Sequence, residues 1–344
     1  VANRGRILLA TWHWHIEISS KCTLACPRCA RQEVPNSLTN TELSLEFFLK
    51  NFTPDFTKNN VEKITFCGDD GDPIYAHDLI ETIKYFKFHK PSVSIIIVTN
   101  GSYKKSDWWH TLGKLLSYND QIHFSIDGYD NISNNKYRIN SDWDSIVNGI
   151  NTLVRVSDAW LVWDAIAFKF NEHKIDDMKQ IAKDLGFDQF QLTKSTKFGK
   201  IYPSYGQFDM LQPKDELISN THRFERDITN LSGRSFKEHW LPTNYKYLNQ
   251  VSVIDGSIKP MCKIGNKGLY INSKGEFFPC CWVANRYQHN NKWQDMGKKY
   301  NLYEQRLVDV LDEGNWSDEI FSKSLECKTK CHVDRVNEKY GTEW

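Results

Sequence analysis

Between about residues 12 and 196 the chain alternates short β-type runs with amphipathic helical stretches, and this alternation constrains the fold more than any other feature. The runs "WHWHIEIS", "VEKITFCG", "SVSIIIVTNG", "QIHFSIDG", "WLVWDAIAFKF" and "FDQFQLTKS" read as strands. Helical periodicity fills the gaps. Leu79, Ile83 and Phe86 share one face of "AHDLIETIKYFKFH", and Trp143, Ile146, Ile150 and Leu153 share one side of "SDWDSIVNGINTLVRV". Ile175, Met178, Ile181 and Leu185 are in register on a third helix, with Gly186 where a C-cap belongs. "LSLEFFLKNF" and the stretch around Trp108 to Leu116 are predicted helices as well. Strand–helix alternation implies parallel βαβ units. Six of them imply an α/β fold, a partial (β/α)6 TIM-like barrel, whose site is built from the loops after the strand C-termini.

From about 198 the pattern dissolves into turn formers and aromatics. The expected domains are therefore a barrel over 1–200, a linker covering its open end over 201–250, and a small C-terminal β-hairpin/helix domain over 251–344. The hairpin is placed at "KGLYINSKGEFFPCCW".

Composition narrows the function classes. The 344 residues carry a formal net charge of +1, which gives no argument for a nucleic-acid or anionic-membrane partner. No apolar run is long enough to span a bilayer, and the first residues lack the apolar core of a signal peptide. A cytoplasmic location is expected. Nine cysteines, an odd number, argue against a closed disulfide framework. They are clustered, with Cys22, Cys26 and Cys29 together, five between 262 and 331, and Cys67 alone. Clustered thiols of this kind point to metal or iron–sulfur ligation.

Cys22, Cys26 and Cys29 form C-x3-C-x2-C directly after the first strand. Three thiolates on a cubane cluster leave one iron open to a small molecule. A zinc site or scattered structural thiols is the alternative, because Cys-x2-Cys is also zinc spacing. With this spacing the sequence resembles the radical S-adenosylmethionine (radical SAM) superfamily. "ITFCGDDGDP" looks like the family's second-strand signal, which implies that Gly71-Asp72-Pro73 meets the methionine amino group. "VTNG" and "FSIDG" resemble its third and fourth strand ends, which implies that Thr99, Asn100, Ser125 and Asp127 face the cofactor. The resemblance runs over residues 13–196 in the expected order. It implies a [4Fe–4S] cluster on Cys22, Cys26 and Cys29 that cleaves S-adenosylmethionine to methionine and a 5′-deoxyadenosyl radical. Arg28 stands where the family commonly has an aromatic residue beside the adenine.

The tail resembles the twitch domain, a reduced SPASM domain, and so implies one auxiliary [4Fe–4S] cluster on Cys262, Cys280, Cys327 and Cys331. Cys281 adjoins Cys280, so only one of the two is expected to ligate, and Cys280 is favoured. A four-cysteine zinc site is the alternative.

Further polar residues admit two readings each. His13, His15 and Glu17 alternate along the first strand, so one set faces the barrel interior, as substrate contacts or as a satisfied polar layer. Asn171, Glu172 and His173 end the fifth strand as site residues, or Asn171 caps a helix. Lys194 ends the sixth strand and is read first as a surface residue, and Cys67 as a small core residue. No catalytic residue is assigned. An oxidoreductase acting on a small polar molecule is favoured, because the barrel begins almost at residue 1 and leaves no room for a peptide-binding domain ahead of it. A peptide- or protein-modifying maturase is the alternative, and a non-catalytic iron–sulfur or zinc module a further one. The expected electron donor is a flavodoxin or ferredoxin.

Overall fold

The computed structural model describes residues 12–33, 39–195, 209–214, 217, 219–224, 269–278, 281–285 and 291–312. The six expected strands are present as β1 (Trp12–Ile16), β2 (Val61–Phe66), β3 (Ser94–Thr99), β4 (Gln121–Ser125), β5 (Trp160–Ile166) and β6 (Gln189–Thr193). Each pairs in parallel with the next. Three further strands extend the sheet. β7 (Asn220–Arg223) runs antiparallel to β6, β8 (Leu269–Ile271) runs parallel to β1 on its other side, and β9 (Phe277–Phe278) returns antiparallel to β8. The order is β7-β6-β5-β4-β3-β2-β1-β8-β9, an open sheet and thus a partial barrel, as the alternation predicts.

Helices cover one face. They are α1 (Ala30–Glu33), α2 (Leu45–Asn51), α3 (Pro54–Asn60), α4 (Leu79–His89), α5 (Ser106–Leu115), α6 (Asn131–Asn135), α7 (Trp143–Val156) and α8 (Ile175–Asp184), followed after β8 by α9 (Cys281–Asn285), α10 (Asn291–Lys299) and α11 (Leu307–Asp312). Their starts follow local chemistry. Ser44, Thr53 and Asp142 accept from the amides of Phe47, Phe56 and Ser145 at the heads of α2, α3 and α7, and Pro54 opens α3. Asp130 and Ser133 form a capping box on α6. Gly186, at φ +84°, ends α8 as expected, in a conformation that favours glycine.

Period-two alternation separates two faces. Trp14, Ile16, Ile64, Phe66, Ile122, Phe124, Leu161, Trp163 and Phe190 are buried in the core under the helices, with Leu79, Ile83, Phe86, Ile146, Ile150, Leu153 and Met178 from the predicted helix faces. The opposite, concave face is more polar. Register sets His13 beside Lys63, His15 beside Thr65, and Ser125 beside Asp164. β3 departs from the expectation of a wholly buried run: Ile95, Ile97 and Thr99 are buried, whereas Ser94, Ile96 and Val98 are half-buried on the concave side. Among the described residues no helix is long and apolar enough to cross a membrane.

Candidate active site

The loop after β1 carries the three clustered cysteines. Cys26 is buried, and Cys22 and Cys29 are half-buried. The loop closes on itself: the Cys29 amide donates to the Cys26 carbonyl at 3.1 Å, and the Gln32 amide to the Cys29 carbonyl at 2.9 Å, which starts α1. The Ala25 amide donates to the Ile139 carbonyl at 3.0 Å and anchors the loop to the segment after α6. Cys22, Cys26 and Cys29 belong to one apolar cluster with Leu24, Tyr137 and Phe168.

The ends of β2 and β3 converge on this loop. Gly71 lies so close to the end of β1 that a Cβ there would fall 1.9 Å from the Ser19 carbonyl oxygen, so only glycine fits. The Asp72 amide donates to the Lys21 carbonyl at 2.9 Å. The Asp72 carboxylate accepts from the Thr99 hydroxyl (2.8 Å), the Asn100 amide (2.6 Å), Asn100 Nδ2 (2.6 Å) and the Ile74 amide (3.1 Å). Burial raises its carboxyl to about 6, against the pull of these donors. Asn100 Nδ2 also lies 3.6 Å from Cys22 Sγ. Pro73 opens a short 3₁₀ turn, Pro73–Tyr75, that aims the Tyr75 hydroxyl at Thr23 in the cysteine loop (2.7 Å) and at the Ser102 carbonyl (3.1 Å).

The end of β4 meets the same loop from the other side. Asp127 is buried, accepts from the Ile166 amide at 2.7 Å, and forms an ion pair with Arg138 at 2.6 Å. The Arg138 guanidinium faces Cys26, whose thiol burial pushes up and Arg138 draws back down. Ser125 stands apart from this network, on the concave face beside Asp164. There His123 Nδ1 lies 2.8 Å from Asp164 Oδ2 and Nε2 2.7 Å from Gln121 Oε1.

Several residues take roles that the sequence left open or did not indicate. Glu17 is buried and holds the turn after β2, accepting from the amides of Asp70 and Gly71. Arg28 is buried in an ion pair with Asp209, which brings the 209–214 segment onto the cysteine loop, with Leu211 packed on the apolar cluster. Asn171 is neither a helix cap nor a solvent-facing group. Its amide donates to the Asp127 and Ile166 carbonyls, both at 2.8 Å, while the N-cap of α8 is Lys174. Glu172 accepts from the Lys214 amide at 2.7 Å, His173 is exposed, and Lys194 is half-buried with its amide on Ser219 Oγ at 2.8 Å. Cys67 is half-buried at the end of β2 rather than in the core. Arg31 was not singled out in the sequence, although it lies just past Cys29. Its guanidinium donates to the carbonyls of Ser20 and Asp70. Arg138 gave no local signal at all, since only the turn through α6 brings it back to Asp127.

The donor set fits a [4Fe–4S] cluster. Burial and then Asp72 push the Cys22 thiol up to about 12, so a thiolate here calls for a bound cation, which cluster iron would supply. Among the described residues no three His, Cys, Asp or Glu side chains converge on one ion. Cys262, Cys280, Cys327 and Cys331 lie outside the described residues, and Cys281 is buried at the head of α9.

Residues 16–185 match the family model of the Radical SAM superfamily. This segment is a radical SAM domain. This domain is that of enzymes of radical chemistry, in a superfamily that cleaves S-adenosylmethionine to a 5′-deoxyadenosyl radical on a [4Fe–4S] cluster. The open α/β sheet agrees with solved structures. Streptococcus suis SuiB bound to S-adenosylmethionine is similar over 95% of this chain and 72% of its own, at 17% identity and a TM-score of 0.58. SuiB bound to precursor peptide SuiA is similar over 98% and 76%, again at 17% identity and 0.58. Histidine-tagged anSMEcpe with bound AdoMet is similar over 88% and 79%, at 14% identity and 0.51. At these identities the likeness bears on the fold. No curated protein sequence matches the chain.

Proposed function

We propose that Cys22, Cys26 and Cys29 hold the radical SAM cluster and that the strand ends bearing Gly71-Asp72-Pro73, Thr99, Asn100, Ser125 and Asp127 frame S-adenosylmethionine beside it. The observation that carries this reading is the network of Asp72, Thr99, Asn100 and Cys22, which ties the ends of β2 and β3 to the cysteine loop. The cluster would supply the electron for reductive cleavage of the sulfonium. The chain's own part is to fix the loop, exclude water and aim the bound molecules. Leu24, Tyr137, Phe168 and Leu211 give the loop an apolar cover, and the Arg28–Asp209 pair holds that cover in place.

The substrate favoured is a small polar molecule above the concave face, where Gln121, His123 and Asp164 form a hydrogen-bonded row. A peptide or protein substrate is the second reading, because SuiB, similar over nearly the whole chain, has been crystallised with its precursor peptide. Cys262, Cys280, Cys327 and Cys331 are proposed to hold an auxiliary cluster in a twitch-like domain over 251–344, suited to net oxidation, with a flavodoxin or ferredoxin as reductant. Residues 1–200 are the proposed barrel domain and 201–250 its cover. The contacts of 209–214 with the cysteine loop support that cover.

Anaerobic reconstitution tests the reading. The wild-type chain is expected to take up about eight irons and to form 5′-deoxyadenosine when reduced with S-adenosylmethionine. Cys26→Ala abolishes that product, and Cys327→Ala spares the first cluster while iron falls to about four. Zinc in place of iron, or no cofactor cleavage on an intact cluster, refutes it.

A further inference from the structure

We propose that Glu17 is a positioning residue for S-adenosylmethionine, and that it links the β8 segment near the C-terminus to the cofactor-binding turn after β2. The proposal rests on the reading above that this turn meets the cofactor.

Glu17 follows the C-terminal end of β1 and is buried. Its Oε1 accepts from the amides of Asp70 at 2.6 Å and Gly71 at 3.2 Å. Its Oε2 accepts from the Tyr270 hydroxyl at 3.3 Å. Tyr270 is the middle residue of β8, in register with His15 and edge-on to its ring at 4.9 Å. One carboxyl group therefore joins three chain segments far apart in sequence. Burial, with Asp70 and Asp69 nearby, raises the Glu17 carboxyl well above the ordinary carboxylate range, which suits a group whose task is hydrogen bonding rather than charge.

The turn it holds has no slack. A Cβ on Gly68 would sit 2.9 Å from Glu17 Oε1, and one on Gly71 would strike the Ser19 carbonyl. Asp72, the carboxylate just before Pro73, already accepts from Thr99, Asn100 and Ile74. Its carboxylate is thus committed to the neighbouring strand end. The peptide groups of Asp70 and Gly71, which Glu17 orients, then help to define the surface that the turn offers to the ligand. Because Tyr270 fixes the other oxygen of Glu17, the seating of β8 on β1 feeds directly into that surface.

The test uses the anaerobically reconstituted full chain as wild type, Glu17→Ala, Glu17→Gln and Tyr270→Phe. Iron content, melting temperature and S-adenosylmethionine affinity by calorimetry are measured on each, with the change in the reduced cluster's paramagnetic signal on adding S-adenosylmethionine. Glu17→Ala is expected to keep its iron and to lose affinity by roughly tenfold, as the part-buried amides of Asp70 and Gly71 lose their acceptor. Glu17→Gln retains an acceptor oxygen and recovers affinity to within about threefold of wild type. Tyr270→Phe weakens binding by about two- to threefold. A purely structural role lowers the melting temperature without changing affinity in the folded fraction, and that result overturns the proposal. So does equal loss in Glu17→Gln and Glu17→Ala. If Glu17→Ala does not fold, wild-type affinity in Tyr270→Phe overturns it. A wild-type chain that carries its cluster but does not bind S-adenosylmethionine refutes the underlying functional reading instead.

Discussion

Arg28 shows how a single residue redirects a loop. A guanidinium next to Cys29 needs a partner once buried, and Asp209 provides it from a segment 181 residues further along. Both side chains are almost wholly withdrawn from solvent. Asp209→Ala leaves the Arg28 charge buried without that carboxylate, and we expect a loss of about 3 kcal/mol in denaturant unfolding of the apoprotein. An Arg28→Met/Asp209→Leu double variant is expected to lose well under half as much, since an apolar pair avoids the desolvation cost. His15 offers a second measurement. Burial lowers its pKa from 6.5 to about 3, so the native state keeps it neutral. Between those values the unfolded chain binds the extra proton. Stability from this residue is full above about pH 6.5 and falls as the pH drops through the window, by up to about 1.4 kcal/mol per pH unit. His15→Phe should flatten that acid limb in melts recorded between about pH 7 and pH 5.

At the scale of elements, the periodic helices were legible because packing and pattern agree. Leu79, Ile83 and Phe86 are all buried, as are Ile146, Ile150 and Leu153. α5 and α7 pack tightly enough that glycine matters. A Cβ on Gly149 would lie 2.5 Å from Nε1 of the buried Trp109. Alanine gains about 1 kcal/mol in helix propensity, yet overpacking against a fixed indole costs about 1–3 kcal/mol. Gly149→Ala is therefore expected to be net destabilising, by up to about 2 kcal/mol, in chemical denaturation. Elements without a long pattern escaped the sequence reading. α3 begins only at Thr53-Pro54, α6 has five residues held by Asp130 and Ser133, and β7 is wholly exposed. Short pieces such as these take their form from caps and neighbours rather than from periodicity.

For the whole molecule, the hairpin at 269–278 does not stand beside the barrel but joins its sheet, with β8 parallel to β1. The later helices seat on α2. Asn51 is buried, its Nδ2 donates to the Leu302 carbonyl at 3.3 Å, and its Oδ1 accepts from the Leu307 amide at 3.2 Å. Lys50 adds a bond to the Leu302 carbonyl at 3.1 Å. Asn51→Ala is expected to cost about 2 kcal/mol by leaving buried backbone groups unpaired. Limited proteolysis should then cut the 291–312 segment faster while the 12–195 core resists.

The sequence by itself determined the strand order of the first six strands, the partial barrel and the loop that gathers three thiols. Those features rest on local signals, namely alternation, helical period and cysteine spacing, and parallel βαβ units leave little freedom in how they connect. Only the tertiary structure decided what the polar residues at the strand ends do. Glu17, Asn171, Arg138 and Arg28 each act through partners between 11 and 253 residues away. Burial forces such groups to find partners, but no local pattern in the chain says which partner that will be.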